Sequence, residues 1–84
     1  MWFVYIVECA DKSLYTGVTR DVERRLQEHN HDDKLGARYT RARRPVKLCY
    51  QETCDDRAAA CKREAAIKRM TRQHKLELIK SSKA

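Results

Sequence analysis

Residues 2–9, Trp2-Phe3-Val4-Tyr5-Ile6-Val7-Glu8-Cys9, and residues 13–18, Ser13-Leu14-Tyr15-Thr16-Gly17-Val18, decide the fold. The first run is β-branched and aromatic and is apolar on both parities, the pattern of a strand covered on both faces, so it is predicted as a central strand. Ala10-Asp11-Lys12 turns the chain, and the second run answers as the other arm of a hairpin. With a three-residue loop, Cys9 pairs with Ser13, Tyr5 stands opposite Gly17, and Tyr5 and Tyr15 become diagonal neighbours on one face. A two-residue loop would put the tyrosines on opposite faces.

Further along, Asp21 is placed to N-cap a helix through about Asn30, in which Val22 and Leu26 point inward while Arg25 and His29, four apart, share one face. Residues 31–44 lack regular periodicity and are expected to be loop. Pro45 then opens a third strand, Val46 to Thr53, at the first position, where proline is tolerated. Asp55 and Asp56 suit the positive end of a second helix, which the alanine-rich run continues to about Met70. Thr71 caps a short third helix, 72–80, with Leu76 and Ile79 buried. The order ββαβαα predicts an α+β fold, a small three-stranded mixed or antiparallel sheet packed with helices, with the strand order left open.

The 84 residues allow one small domain, taken as 1–84, and 42% hydrophobic residues with only two Gly and one Pro make it globular rather than linker-like. The longest apolar run, Trp2 to Val7, is far shorter than the ~20 residues that span a bilayer. No secretory signal is expected either, because Glu8, Asp11 and Lys12 interrupt the start and no basic segment precedes the apolar stretch, so a cytoplasmic location is expected. Cys9, Cys49, Cys54 and Cys61 form no CxxC pair and match no common zinc finger, which favours reduced thiols packed as small hydrophobes. Nineteen Lys+Arg against 12 Asp+Glu leave a net charge of +7, which favours polyanionic partners, nucleic acid before anionic membrane. Arg38, Arg41, Arg43 and Arg44 fall within seven positions with no acid among them and are the expected phosphate contacts.

Several polar residues have ordinary structural explanations singly but form a chemical set together. Glu64 precedes Lys68 by four, a common helical ion pair, yet it also lies on the row Ala60–Glu64–Ile67, which brings its carboxylate to the buried edge of the helix. Phosphodiester hydrolysis needs a cation to neutralise developing charge, a base for the attacking water, and stabilisation of the leaving alkoxide. Arg25 offers a planar fork for two phosphate oxygens. Glu64 suits one Mg²⁺ or Mn²⁺ held largely through water. A tyrosine or His29 can take the proton, and Gly17 is expected to leave the phosphate room to approach Tyr5.

From Val4 to about Ile79 the sequence resembles the GIY-YIG nuclease superfamily, and is most similar to its small stand-alone bacterial members. Phe3-Val4-Tyr5 stands where the first motif would be and Tyr15-Thr16-Gly17 where the second would be. Arg25 and His29 follow Tyr15 by ten and fourteen residues, spacings that match the family's arginine and histidine. Gly36-Ala37-Arg38-Tyr39-Thr40 with Arg43-Arg44-Pro45, and Arg63-Glu64-Ala65-Ala66-Ile67-Lys68, resemble segments typical of these small proteins, with Glu64 at the metal-binding glutamate. The chain departs from the family at Phe3, in place of the first motif's glycine, and at Val18, where some members have lysine. Larger relatives add a C-terminal asparagine and a separate DNA-recognition domain, neither evident here.

The resemblance implies a metal-dependent DNA endonuclease, structure-directed or weakly specific, with roles in repair or recombination. RNA is a second substrate class, and a protein partner is a source of specificity. Arg25 would stabilise the pentacovalent transition state, Tyr5 would be the leading base, and Tyr15 and His29 would position water or relay the proton. The rival expectation is a non-catalytic nucleic-acid-binding module that keeps the fold.

Overall fold

The computed structural model describes residues 1–81, so the last three positions of the expected domain lie outside the described residues. Its elements are β1 (Trp2–Glu8), β2 (Leu14–Thr19), α1 (Val22–His31), α2 (Arg38–Arg41), β3 (Lys47–Cys54), α3 (Arg57–Lys68) and α4 (Arg72–Ser81). The hairpin closes with the three-residue loop: Cys9 N–H donates to Ser13 O at 2.8 Å, and Lys12 N–H to Cys9 O at 2.9 Å. Lys12 takes the left-handed conformation, φ 72°, that such a loop needs at its last position. Asp11 accepts from the Ser13 N–H at 3.0 Å and the Ser13 hydroxyl at 2.5 Å. It also takes Arg43 Nε at 3.1 Å, which ties the hairpin tip to the segment before β3.

The ladder pairs Tyr5 with Gly17 and Val7 with Tyr15, so both tyrosines lie on one face as the loop length predicts. β1 is the central strand of an antiparallel sheet ordered β2-β1-β3, with a register shift against β3 between Ile6 and Val7. Its double-sided apolarity is explained by what covers it. Val4 and Ile6 pack with Ala60, Ile67 and Ile79 of α3 and α4. On the other face Tyr5 and Val7 pack with Cys9, Val46 and Leu48, and with Leu26 of α1. The helices start where the caps predict: Asp21 accepts from Arg24 N–H at 3.0 Å, Asp56 from Ala59 N–H at 2.8 Å, and Thr71 from His74 N–H at 3.2 Å.

Two expectations need correction. The segment 31–44, expected to be loop throughout, contains the single helical turn α2, because Thr40 and Arg41 find local partners at Ala37 O. Leu76, expected to be buried with Ile79, is 37% exposed, whereas Ile79 is buried and Leu78 packs beside it. At 100° per residue, a packing face centred between Leu78 and Ile79 lies on the Lys75 row and about 110° from Leu76. Lys75, on that row, is half-buried.

The two positions therefore differ in cost. Ile67→Ala should destabilise the fold by about 2–5 kcal/mol, and Leu76→Ala by less than about 1 kcal/mol. Urea denaturation with an unchanged slope measures both, and equal losses would contradict the assigned packing of α4.

Candidate active site

The hairpin delivers Tyr5 and Tyr15 from β1 and β2 toward α1, whose i,i+4 geometry sets Arg25 and His29 against them. The imidazole of His29 is fully buried, with Nε2 2.7 Å from Tyr5 Oη and Nδ1 2.9 Å from Thr40 Oγ1. Tyr15 lies edge-on to the same imidazole, centroids 5.4 Å apart, and stacks on Tyr39 of α2 at 5.8 Å. The Arg43 guanidinium sits 3.9 Å over the outer ring of Tyr39. Arg25 is held from its own helix and from the following loop: Nη1 donates to Glu28 Oε1 at 2.9 Å and to Leu35 O at 2.5 Å. Asn30 fixes the end of α1 to the start of β3, accepting from Val46 N–H at 2.7 Å and donating to Val46 O at 3.0 Å.

Gly17 has a role different from the one expected. A Cβ there would lie 2.5 Å from Tyr5 Oη and 2.7 Å from Cζ, so the space opposite Tyr5 is filled by the Tyr5 ring itself. The glycine admits the tyrosine rather than a phosphate. Tyr5 is accordingly only 2% exposed, and its hydroxyl is turned inward to His29.

Burial dominates the electrostatics. It pushes the Tyr5 phenol up to about 12 from its ordinary 10.0, opposed by the charge of Arg25 and reinforced by Tyr15 and Glu64. Burial likewise pushes His29 down to about 4 from 6.5, with Arg25 and Arg44 adding repulsion and Glu28 opposing. At neutral pH the pair is an uncharged phenol against an uncharged imidazole. Glu64, on the row between the buried Ala60 and Ile67, keeps its side chain 23% exposed and pairs with Lys68 at 3.5 Å.

The four clustered arginines divide in two. Arg38, Arg41 and Arg43 line an open depression together with Tyr39 and Ala42. Arg44 instead clamps the end of α1, donating to His29 O at 2.6 Å, Asp32 O at 2.9 Å and Asp33 Oδ1 at 2.9 Å. Sequence reasoning missed Glu28, Tyr39 and Thr40 as partners of Arg25, Tyr15 and His29. The i,i+3 spacing of Arg25 and Glu28 was a usable signal. For Thr40 none was, because its contact depends on α2 folding back over α1.

Two tyrosines on a hairpin facing an arginine and a histidine on the next helix reproduce the set that the motif spacing implied. The family described as GIY-YIG catalytic domain matches residues 1–77, and the chain belongs to it. It is 59% identical to a UPF0213 protein of Desulfotalea psychrophila over 96% of this chain and 73% of that one. It is 56% identical to a UPF0213 protein of Syntrophus aciditrophicus, over 95% and 91%. Among solved structures it is similar to the solution structure of a UPF0213 protein from Bacillus halodurans. That protein is 38% identical, with a TM-score of 0.59 over 95% of this chain and 84% of the other.

Two outcomes follow from the buried pair. Because His29 is depressed in the fold, its contribution to stability is fully present above pH ~6.5 and is lost as pH falls toward about 4. The loss should amount to roughly 2–3 kcal/mol in wild type and be absent in His29→Gln. Urea midpoints at pH 7 and 4.5 measure it, and parallel loss in both proteins would contradict the assignment. Gly17→Ala should cost about 1–3 kcal/mol by forcing Tyr5 off His29, whereas an unchanged midpoint would mean that the ring is not confined there.

Proposed function

We propose that the protein is a divalent-metal-dependent endonuclease that hydrolyses phosphodiester bonds in DNA. The observation that carries this reading is the convergence of Tyr5, Tyr15, Arg25 and His29 on one site, next to a depression lined by three arginines. The charge of Glu64 is among those that raise the Tyr5 phenol, which supports reading its carboxylate as part of the same site. Family membership makes nuclease chemistry the prior for such a site.

The donor set suits one hard cation. Among the described residues no three His, Cys, Asp or Glu side chains cluster to make a closed metal cage. A Mg²⁺ or Mn²⁺ site with one carboxylate, Glu64, completed by water and phosphate oxygens fits this geometry. When bound, such an ion supplies neutralisation of charge on the scissile phosphate and its leaving oxygen. Arg25, positioned by Glu28 and Leu35, is the protein's own donor for the equatorial phosphate oxygens. Tyr5 and His29 act as one base. Water gives its proton to Tyr5 Oη while the phenol proton passes to His29 Nε2, so no free phenolate need accumulate against a phenol held near 12. An approaching phosphodiester anion favours the imidazolium that results. Tyr15, braced between His29 and Tyr39, orients water or phosphate. Arg38, Arg41 and Arg43 track the DNA backbone, while Arg44 contributes by holding the end of α1 in place. Substrate choice then comes from DNA shape or from a protein partner, as suits weak sequence specificity in repair or recombination.

Glu64→Gln should abolish divalent-dependent cleavage and leave DNA affinity nearly unchanged, measured by single-turnover cleavage and fluorescence anisotropy. Full activity in Glu64→Gln would remove the metal assignment. Tight binding with no cleavage by wild type in Mg²⁺ or Mn²⁺ would favour the binding module. Affinity should also fall steeply between ~50 and ~200 mM salt, with a shallower slope in Arg38→Ala/Arg41→Ala. A flat salt dependence would contradict backbone tracking by these arginines.

A further inference from the structure

The segment Gly36-Ala37-Arg38-Tyr39-Thr40 is a family-like run whose part in the site is not accounted for by charge. Its last residue, Thr40, is fully buried on α2 and touches the far nitrogen of the catalytic imidazole. Thr40 Oγ1 stands 2.9 Å from Ala37 O and 2.9 Å from His29 Nδ1. A carbonyl oxygen can only accept, so the single hydroxyl proton of Thr40 goes to Ala37 O. Thr40 must then accept from His29, which places the imidazole proton on Nδ1. That leaves Nε2 with a lone pair facing the Tyr5 hydroxyl at 2.7 Å.

The opposite tautomer fits the same atoms badly. The Nδ1 lone pair would accept the Ala37 N–H at 3.4 Å but would also face the Thr40 oxygen at 2.9 Å, whose only proton is committed to Ala37 O. Nε2–H would point at Tyr5 Oη, and the buried phenol would then need another acceptor for its own proton. No such acceptor is paired with it among the described residues. The Nδ1–H tautomer gives up the 3.4 Å Ala37 N–H bond, which is longer and only part-buried, whereas the opposite tautomer orphans a fully buried phenol donor at a cost of about 1–3 kcal/mol.

We infer that Thr40 is a positioning residue that fixes His29 in the Nδ1–H tautomer and so keeps Nε2 open as the acceptor for the Tyr5 proton. The chain of donors runs one way, Tyr5 to His29 to Thr40 to Ala37 O, and ends on backbone. The role rests on the Tyr5–His29 base proposed above, yet the tautomer itself can be read without any cleavage assay.

The test is long-range ¹H–¹⁵N correlation of the imidazole rings in wild type, Thr40→Ser and Thr40→Val at pH 7, with His29→Gln assigning the signals of His29 apart from those of His31 and His74. Wild type and Thr40→Ser should show a protonated Nδ1 and a pyridine-like Nε2, and Thr40→Val should lose this preference. A wild-type ring protonated on Nε2 overturns the proposal, and so does a Thr40→Val ring that keeps Nδ1–H. If Thr40→Val does not fold, the wild-type and Thr40→Ser spectra decide alone. Single-turnover cleavage is the second readout. Thr40→Val should slow it by roughly ten- to a hundredfold, the scale on which partners of functional imidazoles act, with KM unchanged and with Thr40→Ser near wild type. Spectra as expected but with no cleavage by any protein would leave the tautomer standing and remove the nuclease reading instead.

Discussion

Tyr5 and His29, both buried, meet 2.7 Å apart between the central strand and the first helix. A buried phenol or imidazole without a partner costs on the order of 1–3 kcal/mol, a sizeable fraction of the stability of so small a domain. The geometry around them serves that contact. Gly17 gives up its side chain so that the Tyr5 ring can lie across β2, and Thr40 satisfies the far side of the imidazole. Asn30 and Arg44 hold the end of α1 against β3 and the preceding loop. Loosening any of these leaves a buried polar group without its partner.

The same burial shapes the chemistry. Burial disfavours ionisation of both groups, driving the phenol up and the imidazole down, so that the resting pair is neutral and a proton shift within it requires an outside charge. Arg25 already opposes the rise of Tyr5, and a bound phosphate would oppose the fall of His29. Under the proposed nuclease reading, the pair stays neutral until an anionic substrate arrives. The arginine-lined depression is placed to supply that substrate, and the stack from Arg43 through Tyr39 to Tyr15 links it to His29.

Much of this was legible before any coordinates. The both-parity apolar run of β1 announced a strand covered on two sides, and the three-residue hairpin loop was enough to put Tyr5 and Tyr15 on one face opposite Gly17 and Val7. Helical spacing placed Arg25 with His29 and put Glu64 between Ala60 and Ile67. What escaped was set by tertiary contact rather than by period. The turn of α2 forms within a segment of polar and charged residues. The rotation of α4 exposes Leu76 and half-buries Lys75. Gly17 was read as open space because a missing side chain does not reveal what fills the gap. Four neighbouring arginines are equivalent by spacing, yet Arg38, Arg41 and Arg43 line a surface depression, with Arg41 and Arg43 also bonded to oxygens of Asp33, Tyr39 and Asp11, while Arg44 clamps the end of α1.

In the proposed chemistry the proton of the attacking water leaves through Tyr5 and into His29. Single-turnover cleavage of DNA in Mg²⁺ or Mn²⁺ by Tyr5→Phe and Tyr15→Phe, from pH 6 to 9 and with circular dichroism confirming the fold, tests it most directly. Removing the hydroxyl of the base should slow the reaction by about 10²–10⁴ in Tyr5→Phe, while Tyr15→Phe should lose no more than an ordinary hydrogen bond, about tenfold. A deeper loss in Tyr15→Phe, or less than a tenfold loss in both, would contradict it.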